Sequence, residues 1–149
     1  MAKDYDLTLI DTPPSLEMLT ASAIYGSNYL IIPIQLDLDA ISGATQILSD
    51  IVSTAHKYYN PELRLLGIII NLHRDTVSQR VSNDVAKKTF GKLLFKTIIS
   101  QSEKIYRLAT SGGTLDNYSS KSKSHDQLTA LAKEIYDRLE EAGNHGQKK

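Results

Sequence analysis

The stretch Leu7-Thr-Leu-Ile-Asp-Thr-Pro-Pro-Ser15 joins a short apolar run to one carboxylate, Asp11, and two prolines. Leucine, threonine and isoleucine suit β-structure in such a run, so a buried strand is predicted over residues 7–10. Pro13 and Pro14 cannot continue a central strand, so the chain is expected to leave the sheet there. Asp11 would then lie at the carboxyl end of a strand, where open α/β sheets bind ligands. Because aspartate is also a common turn former, a purely structural role in the turn remains the alternative.

Strand and helix patterns alternate along the rest of the chain. Unbroken apolar runs predict further strands over residues 29–34, 65–71 and 93–99. Helical periodicity predicts helices over residues 16–26, 38–59, 77–89, 103–109 and 126–142. This alternation is typical of right-handed βαβ units, so the predicted fold class is α/β, a parallel sheet with helices on both faces. One domain is predicted over residues 1–142, followed by a flexible tail over residues 143–149.

The charge of the chain is unevenly distributed although the net charge is zero. Residues 1–63 contain 2 Lys/Arg and 8 Asp/Glu, whereas residues 74–125 contain 10 Lys/Arg and 4 Asp/Glu. The basic second half indicates an anionic partner on one side of the molecule. The chain has no cysteine, which excludes disulfides and thiolate chemistry and fits a cytoplasmic protein. Its four histidines lack metal-ligand spacing, so no structural metal is predicted, and no membrane segment is expected.

Several blocks of the sequence resemble the ParA/Soj family of partition ATPases, which are deviant-Walker P-loop proteins related to MinD. The first block is Asp11-Thr-Pro-Pro-Ser15, which is followed by Leu19-Thr-Ala-Ser-Ala23 and then by Leu30-Ile-Ile-Pro-Ile-Gln35. The resemblance continues through weaker blocks at residues 95–99, 112, 118, 121–123 and 131–135. It covers nearly the whole chain from Asp4 onward and implies a P-loop NTPase fold.

The resemblance assigns roles to several residues near the predicted strand ends. Asp11 would be the Walker B carboxylate, which holds the water shell of Mg²⁺ beside the phosphates of ATP. Thr12, Pro13 and Pro14 would form the switch that senses the γ-phosphate. The adenine would be held by Asn71 together with the turn at Ile99 and Ser100. For Asn71, capping of the following loop is an equally open alternative.

The chain departs from the family in the phosphate-binding loop. The pattern G-x-x-x-x-G-K-[ST] does not occur in the 149 residues. The resemblance implies that the strand carrying this loop lies between residues 7–10 and 29–34, so the fold is expected to be a partial P-loop NTPase fold with a gap inside its sheet. Three outcomes are expected for such a gap: low stability, direct pairing of the two flanking strands, or a partner that supplies the missing part. After the fourth strand, Ser100-Gln101 stands where the family usually has Pro-Arg, and Arg107 where an acidic residue is common.

The resemblance also implies partners. Proteins of this family bind DNA without sequence preference, dimerise with ATP and work with a ParB-like centromere-binding protein on the nucleoid. The candidate DNA-binding residues in this chain are Lys96, Lys104, Arg107, Lys121 and Lys123. Phosphate neutralisation by these cations would make binding fall with salt. For any single lysine, a solvated surface position remains the alternative.

Three functional hypotheses follow from these observations. The first is a ParA-like ATPase involved in plasmid or chromosome partitioning, present as a carboxyl-terminal part that does not hydrolyse ATP by itself. The second is a non-catalytic DNA-binding or regulatory fragment that pairs with a full-length homologue. The third is a truncated reading frame without a function of its own.

Overall fold

The computed structural model describes residues 5–13, 18–111 and 122–146 of the chain. In chain order the elements are α1 Met18–Gly26, β1 Tyr29–Ile34, α2 Leu38–Gln46, β2 Arg64–His73, α3 Val77–Phe90, β3 Leu94–Ser100, α4 Glu103–Ser111 and α5 Lys123–Gly146. Two π-helical segments, Ile47–Val52 and Ala55–Tyr59, continue α2, and a 3₁₀ turn, Gly91–Leu93, precedes β3. The three strands form one parallel sheet in the order β1-β2-β3.

The predicted α/β fold class is confirmed by this architecture. Each of the three later apolar runs forms a strand within two residues of its predicted ends, and the helical run continues unbroken from Leu38 to Tyr59. The last helix extends to Gly146, four residues beyond the predicted end at Ala142, so the predicted tail overlaps with helix there. No helix within the described ranges is both long and apolar enough to cross a membrane.

The predicted strand over residues 7–10 is wrong. Residues 5–13 form no strand and are exposed throughout, with Leu9 79% and Ile10 56% accessible. A strand exists only where a neighbour completes its ladder, and the partner of β1 in the sheet is β2 alone. The apolar run therefore has the composition of a buried strand without a place in the sheet. Direct pairing of the two segments beside the expected gap is not observed in the described residues.

Helices cover both faces of the sheet, as predicted. On one face, Ile32, Ile34, Ile68 and Ile70 pack with Ile41 and Ala44 of α2 and with Ala86 and Phe90 of α3. On the other face, a second core of Leu66, Ile69, Phe95 and Ile99 packs against the apolar stripe of α5, which consists of Leu128, Leu131, Ile135 and Leu139. Two cores of this kind require strands that are apolar on both sides, which explains the unbroken runs in the sequence.

A β-bulge at Gly67 sets which side chains of β2 reach each face. Leu30 pairs with Leu65 but Ile31 pairs with Gly67, so β2 holds one extra residue at this point. Each side chain that follows is thereby moved to the opposite face. Gly67 has a φ of 152°, and a Cβ placed on it would lie 2.4 Å from the Leu93 carbonyl oxygen and 2.6 Å from Arg138 Nη1. Only glycine fits this position, because a side chain would collide with both groups.

Candidate functional site

The predicted nucleotide and switch segment lies outside the sheet. Asp11, Thr12 and Pro13 are exposed, while Pro14 falls outside the described residues. The Pro13 carbonyl accepts a hydrogen bond from Thr20 Oγ1 at 3.4 Å, which ties the segment to the first turn of α1. The carboxylate of Asp11 has no hydrogen-bond or ion-pair partner among the described residues. Asp11 therefore does not follow a strand of the sheet, although the sequence analysis predicted that it would.

The predicted adenine residues lie at the carboxyl ends of β2 and β3. Ladder pairing of His73 with Ser100 brings the two strand ends together. The Asn71 side chain accepts the N–H of Leu72 through Oδ1 at 2.9 Å, so it makes the local contact that capping requires. Leu72 has a φ of 52°, a conformation that leucine rarely adopts.

The other two predicted adenine residues are engaged by α5. Gln127 accepts the Ser100 N–H at 3.2 Å and donates to Ser100 Oγ at 3.0 Å. Ile99 is 5% exposed and lies in the core under α5, which leaves no surface of this side chain for a ligand. Asn71 and Ser100 are half-buried, so these two residues keep some exposed surface.

A group of charged residues that the sequence analysis did not single out surrounds the end of β2. Arg80 donates to both carboxylate oxygens of Asp75, at 2.8 and 3.0 Å. The hydrogen bond and then the charge of Arg80 lower the pKa of Asp75. Gln127 of α5 bonds Ser100, the ladder partner of His73, so the start of α5 with Lys123 lies on the side of the sheet where β2 ends. Arg74, which follows the strand, donates its backbone N–H to Gln79 at 2.6 Å and its Nε to Gln101.

The junction of α4 and α5 brings more cations to the end of the sheet where β2 and β3 finish, at His73 and Ser100. We call this end of the sheet the carboxyl edge. Ser124 Oγ donates to Ser102 Oγ at 2.7 Å, which joins the start of α5 to the residue before α4. Lys104 and Arg107 are three residues apart on α4 and hence lie on one face of it. Arg107 is paired with Glu103 at 2.7 Å. Of the predicted DNA-binding residues, Lys104, Arg107 and Lys123 are thus brought to the carboxyl edge of the sheet.

The remaining two predicted DNA-binding residues are not part of this group. Lys96 is exposed on β3, but it lies four residues before the strand end, roughly 13 Å away along the strand. Its backbone N–H donates to Glu134 at 2.8 Å. Lys121 lies outside the described residues. Among the described residues, the carboxyl edge therefore carries five cations, Arg74, Arg80, Lys104, Arg107 and Lys123. The sequence analysis did not single out Arg74, directly after β2, or Arg80, in the first turn of α3.

The described residues do not complete a site for Mg²⁺ and ATP. They contain no group of three His, Cys, Asp or Glu side chains that could hold a metal ion. Mg²⁺ needs only one or two carboxylates when nucleotide phosphates supply the other oxygens. In this chain Asp11 is a single exposed carboxylate, and no phosphate-binding loop faces it in the described ranges. No catalytic step can be derived from this arrangement.

Comparison with known proteins agrees with the fold. A family model described as an AAA domain matches residues 1–65. The chromosome-partitioning ATPase Soj of Thermus thermophilus is 30% identical over 140 residues, covering 93% of this chain and 55% of that relative. The sporulation initiation inhibitor protein Soj of Bacillus subtilis is 30% identical over 135 residues, covering 89% of this chain and 53% of that relative. The chromosome partitioning protein ParA of Myxococcus xanthus is 29% identical over 140 residues, covering 93% and 49%.

The parallel sheet with helices on both faces and the family match place the chain in the class of P-loop NTPase folds. The chain forms a part of such a fold. Within that class, the chain belongs to the ParA/Soj family. It spans about half the length of the curated relatives it matches.

Proposed function

We propose that the chain acts in DNA partitioning as part of a ParA-like ATPase that binds DNA without sequence preference and dimerises with ATP. The observation that carries the proposal is the match of 93% of the chain to a protein named a chromosome-partitioning ATPase. The cation group at the carboxyl edge of the sheet supports the DNA-binding part. Its partners would be DNA, a second ParA-like polypeptide and a ParB-like centromere-binding protein, in the cytoplasm at the nucleoid.

The DNA surface would consist of Arg74, Arg80, Lys104, Arg107 and Lys123. Flexible cations at one edge neutralise phosphates without reading bases, which gives affinity without sequence preference. Arg80 and Arg107 each share their charge with a carboxylate of the same chain. The ion pairs of the two arginines are exposed and therefore weak, so either arginine can exchange its carboxylate for a phosphate.

The nucleotide role is proposed for Asp11, Thr12, Pro13 and Pro14, with Asn71 and Ser100 on the adenine side; the Ile99 side chain is buried and would not contact the base. Bound Mg²⁺ would neutralise charge on the phosphates of ATP. Asp11 would orient a water of that ion once the segment is seated at the sheet, and Asn71 would present its amide to the base. Because the segment lies off the sheet in this chain, we infer that the 149 residues do not hydrolyse ATP by themselves.

DNA binding by the full chain tests the proposal. Fluorescence anisotropy with two labelled duplexes of unrelated sequence should give similar affinities that fall steeply between about 50 and about 300 mM salt. An ATPase assay on the same preparation should give no turnover above buffer. Absence of binding at low salt, or binding that is independent of salt, would overturn the DNA-binding proposal.

A second candidate is a non-catalytic DNA-binding or regulatory polypeptide that pairs with a full-length homologue. The exposed position of residues 5–13 favours it, since the segment that would carry Asp11 is left without a seat in the sheet. Co-purification with the Thermus thermophilus Soj separates the two candidates. A stable complex whose ATP turnover differs from that of Soj alone favours the regulatory role, and the absence of a complex contradicts it.

A further inference from the structure

Two carboxylates lie among the cations of the carboxyl edge. Asp75 comes two residues after the end of β2, and Glu103 is the first residue of α4. Asp75 pairs with Arg80, and Glu103 pairs with Arg107. The four side chains are between 64% and 73% exposed, so neither pair belongs to the core. Packing therefore does not explain why the two carboxylates lie on a basic surface.

Each carboxylate occupies the side of a guanidinium that a phosphate can use. Arg80 donates from Nε and Nη2 to the two carboxylate oxygens of Asp75, at 2.8 and 3.0 Å. Arg107 donates from the same two nitrogens to Oε1 of Glu103, at 3.1 and 2.7 Å. These nitrogens form a planar fork that binds carboxylates and phosphates alike. A DNA phosphate can therefore take this fork only when the carboxylate leaves it.

The carboxylates have an advantage over a phosphate because they belong to the same chain as the arginines. Asp75 is five residues from Arg80, and Glu103 is one helical turn from Arg107. A displaced carboxylate remains beside the fork at high effective concentration, and its charge repels the incoming phosphate. The hydrogen bond and the charge of Arg80 lower the pKa of Asp75, so this carboxylate is ionised at neutral pH. Exposed ion pairs are weak, so a phosphate can displace them, but with a loss of affinity.

We propose that Asp75 and Glu103 compete with DNA phosphates for the arginines of the carboxyl edge and thereby limit the affinity of this surface for DNA. An arginine that stays on its carboxylate neutralises no phosphate and releases no counterion from the DNA. Binding is consequently weaker, and less dependent on salt, than the number of cations allows. This role of the two carboxylates rests on the proposed DNA binding.

Neutral variants of the same shape test the proposal. Anisotropy titrations with a labelled duplex at about 0.1 M salt should show binding about 5- to 10-fold tighter for Asp75→Asn and for Glu103→Gln. Each variant should also steepen the slope of log affinity against log salt by up to about 0.9. The two replaced side chains are exposed, and circular dichroism of each variant should match that of the wild type.

Asp137→Asn is the control for net charge. Asp137 is an exposed residue of α5 and precedes Arg138, which bonds the carbonyls of Leu93 and Leu94 where β3 begins. The control therefore makes the same change in charge at the opposite end of the sheet, and it should change DNA affinity less than about 2-fold. A gain equal to that of Asp75→Asn would come from total charge and overturns the proposal.

A double-mutant cycle shows whether Asp75 acts through Arg80. In an Arg80→Gln background no fork is released, so the gain from Asp75→Asn should be at least about 3-fold smaller than in the wild-type background. An equal gain in both backgrounds means that Asp75 acts by repulsion alone, and it overturns the proposed competition.

The same titrations separate the role of the carboxylates from the proposed function. Wild-type binding with no gain in Asp75→Asn or Glu103→Gln overturns the competition and leaves DNA binding intact. Absence of binding at low salt by both the wild type and the double variant Asp75→Asn/Glu103→Gln overturns DNA binding itself, and the competition with it.

Discussion

Arg138 lies over the ring of Phe95, with its guanidinium carbon 3.9 Å from the ring centroid. The same guanidinium donates to three backbone carbonyls, those of Leu66, Leu93 and Leu94, at 2.8–3.2 Å. It also pairs with Glu134 one turn earlier on α5. Because β2, the turn before β3 and β3 itself all meet at this side chain, it fastens α5 to the sheet. Planar guanidinium geometry suits this role and the lysine ammonium does not.

Replacing Arg138 should therefore destabilise the protein strongly. Arg138→Ala leaves three carbonyls without their donor and removes the contact with Phe95, so the expected loss is about 2–4 kcal/mol of unfolding free energy. Arg138→Lys should recover only part of it. Urea unfolding followed by circular dichroism measures both. Lys133→Ala, at an exposed position of the same helix, is the control and should change stability by less than about 0.5 kcal/mol; equal effects of the two alanine variants contradict the prediction.

Gly67 should be intolerant of any side chain. Gly67→Ala would put its Cβ 2.4 Å from the Leu93 carbonyl oxygen at a φ unfavourable for alanine. We expect a loss of about 2–4 kcal/mol, since backbone atoms of the turn before β3 must move. Gly143→Ala is the matched control, because it lies in a helix with open space around it and should stabilise by up to about 1 kcal/mol. Unfolding curves that shift in the same direction for both variants would refute the bulge argument.

The stability contributed by Glu134 should depend on pH. Burial raises the pKa of this carboxyl, but hydrogen bonds from the Lys96 and Thr97 backbone, the Thr97 side chain and Arg138 together bring the pKa below its ordinary value of 4.5. A lowered pKa means that the stabilisation is complete above pH 4.5 and is lost as the pH falls through the folded-state pKa. The stability difference between wild type and Glu134→Gln should be constant near neutral pH and shrink below pH 4.5. A difference that stays constant through acidic pH counts against this assignment, and urea unfolding at each pH provides the measurement.

Lysines at the carboxyl edge should contribute more to DNA binding than Lys96, although the sequence analysis treated them alike. Lys104→Ala/Lys123→Ala should weaken DNA binding about 10-fold and reduce the slope of log affinity against log salt by about 2, since each phosphate contact contributes about 0.9. Lys96→Ala should change both less, because Lys96 lies away from the carboxyl edge. Lys87→Ala/Lys88→Ala, in the last turn of α3, controls for net charge. Equal losses in the two double variants would mean that total charge, not the edge, determines binding.

The sequence predicts the buried strands of this fold well, but it does not predict whether an apolar segment has a neighbouring strand to pair with. Runs such as residues 65–71 predict strands correctly because both faces of β2 are buried, and a run of that kind has no other stable place. The strand predicted over residues 7–10 from an equally apolar run does not form. A strand needs a neighbouring strand to bond with, and residues 7–10 have none in the described sheet. Composition alone cannot report whether a neighbour is present.

The candidate residues divide in a similar way. Lys104 and Lys123 were predicted from charge balance and the family resemblance, and the Ser102–Ser124 contact brings them to one edge. Arg74 was missed because one arginine after a strand looks like any solvated cation. Arg138 and Glu134 were missed because charged residues on an amphipathic helix usually face solvent. Their spacing of four residues beside the apolar stripe of Leu131, Ile135 and Leu139 was the available signal.

The conformation of Leu72 gives a last prediction. Leu72 has a φ of 52° at the end of β2 and is 42% exposed, so its side chain gains little from burial while its backbone is strained. Leu72→Asn should stabilise the protein by about 1 kcal/mol, because asparagine adopts this conformation at lower cost. Leu72→Ala lacks the local side-chain hydrogen bond that lowers the cost of this conformation for asparagine, so it should not gain. Thermal unfolding of the two variants distinguishes strain relief from removal of an exposed apolar side chain, since the second effect would raise the midpoint equally in both.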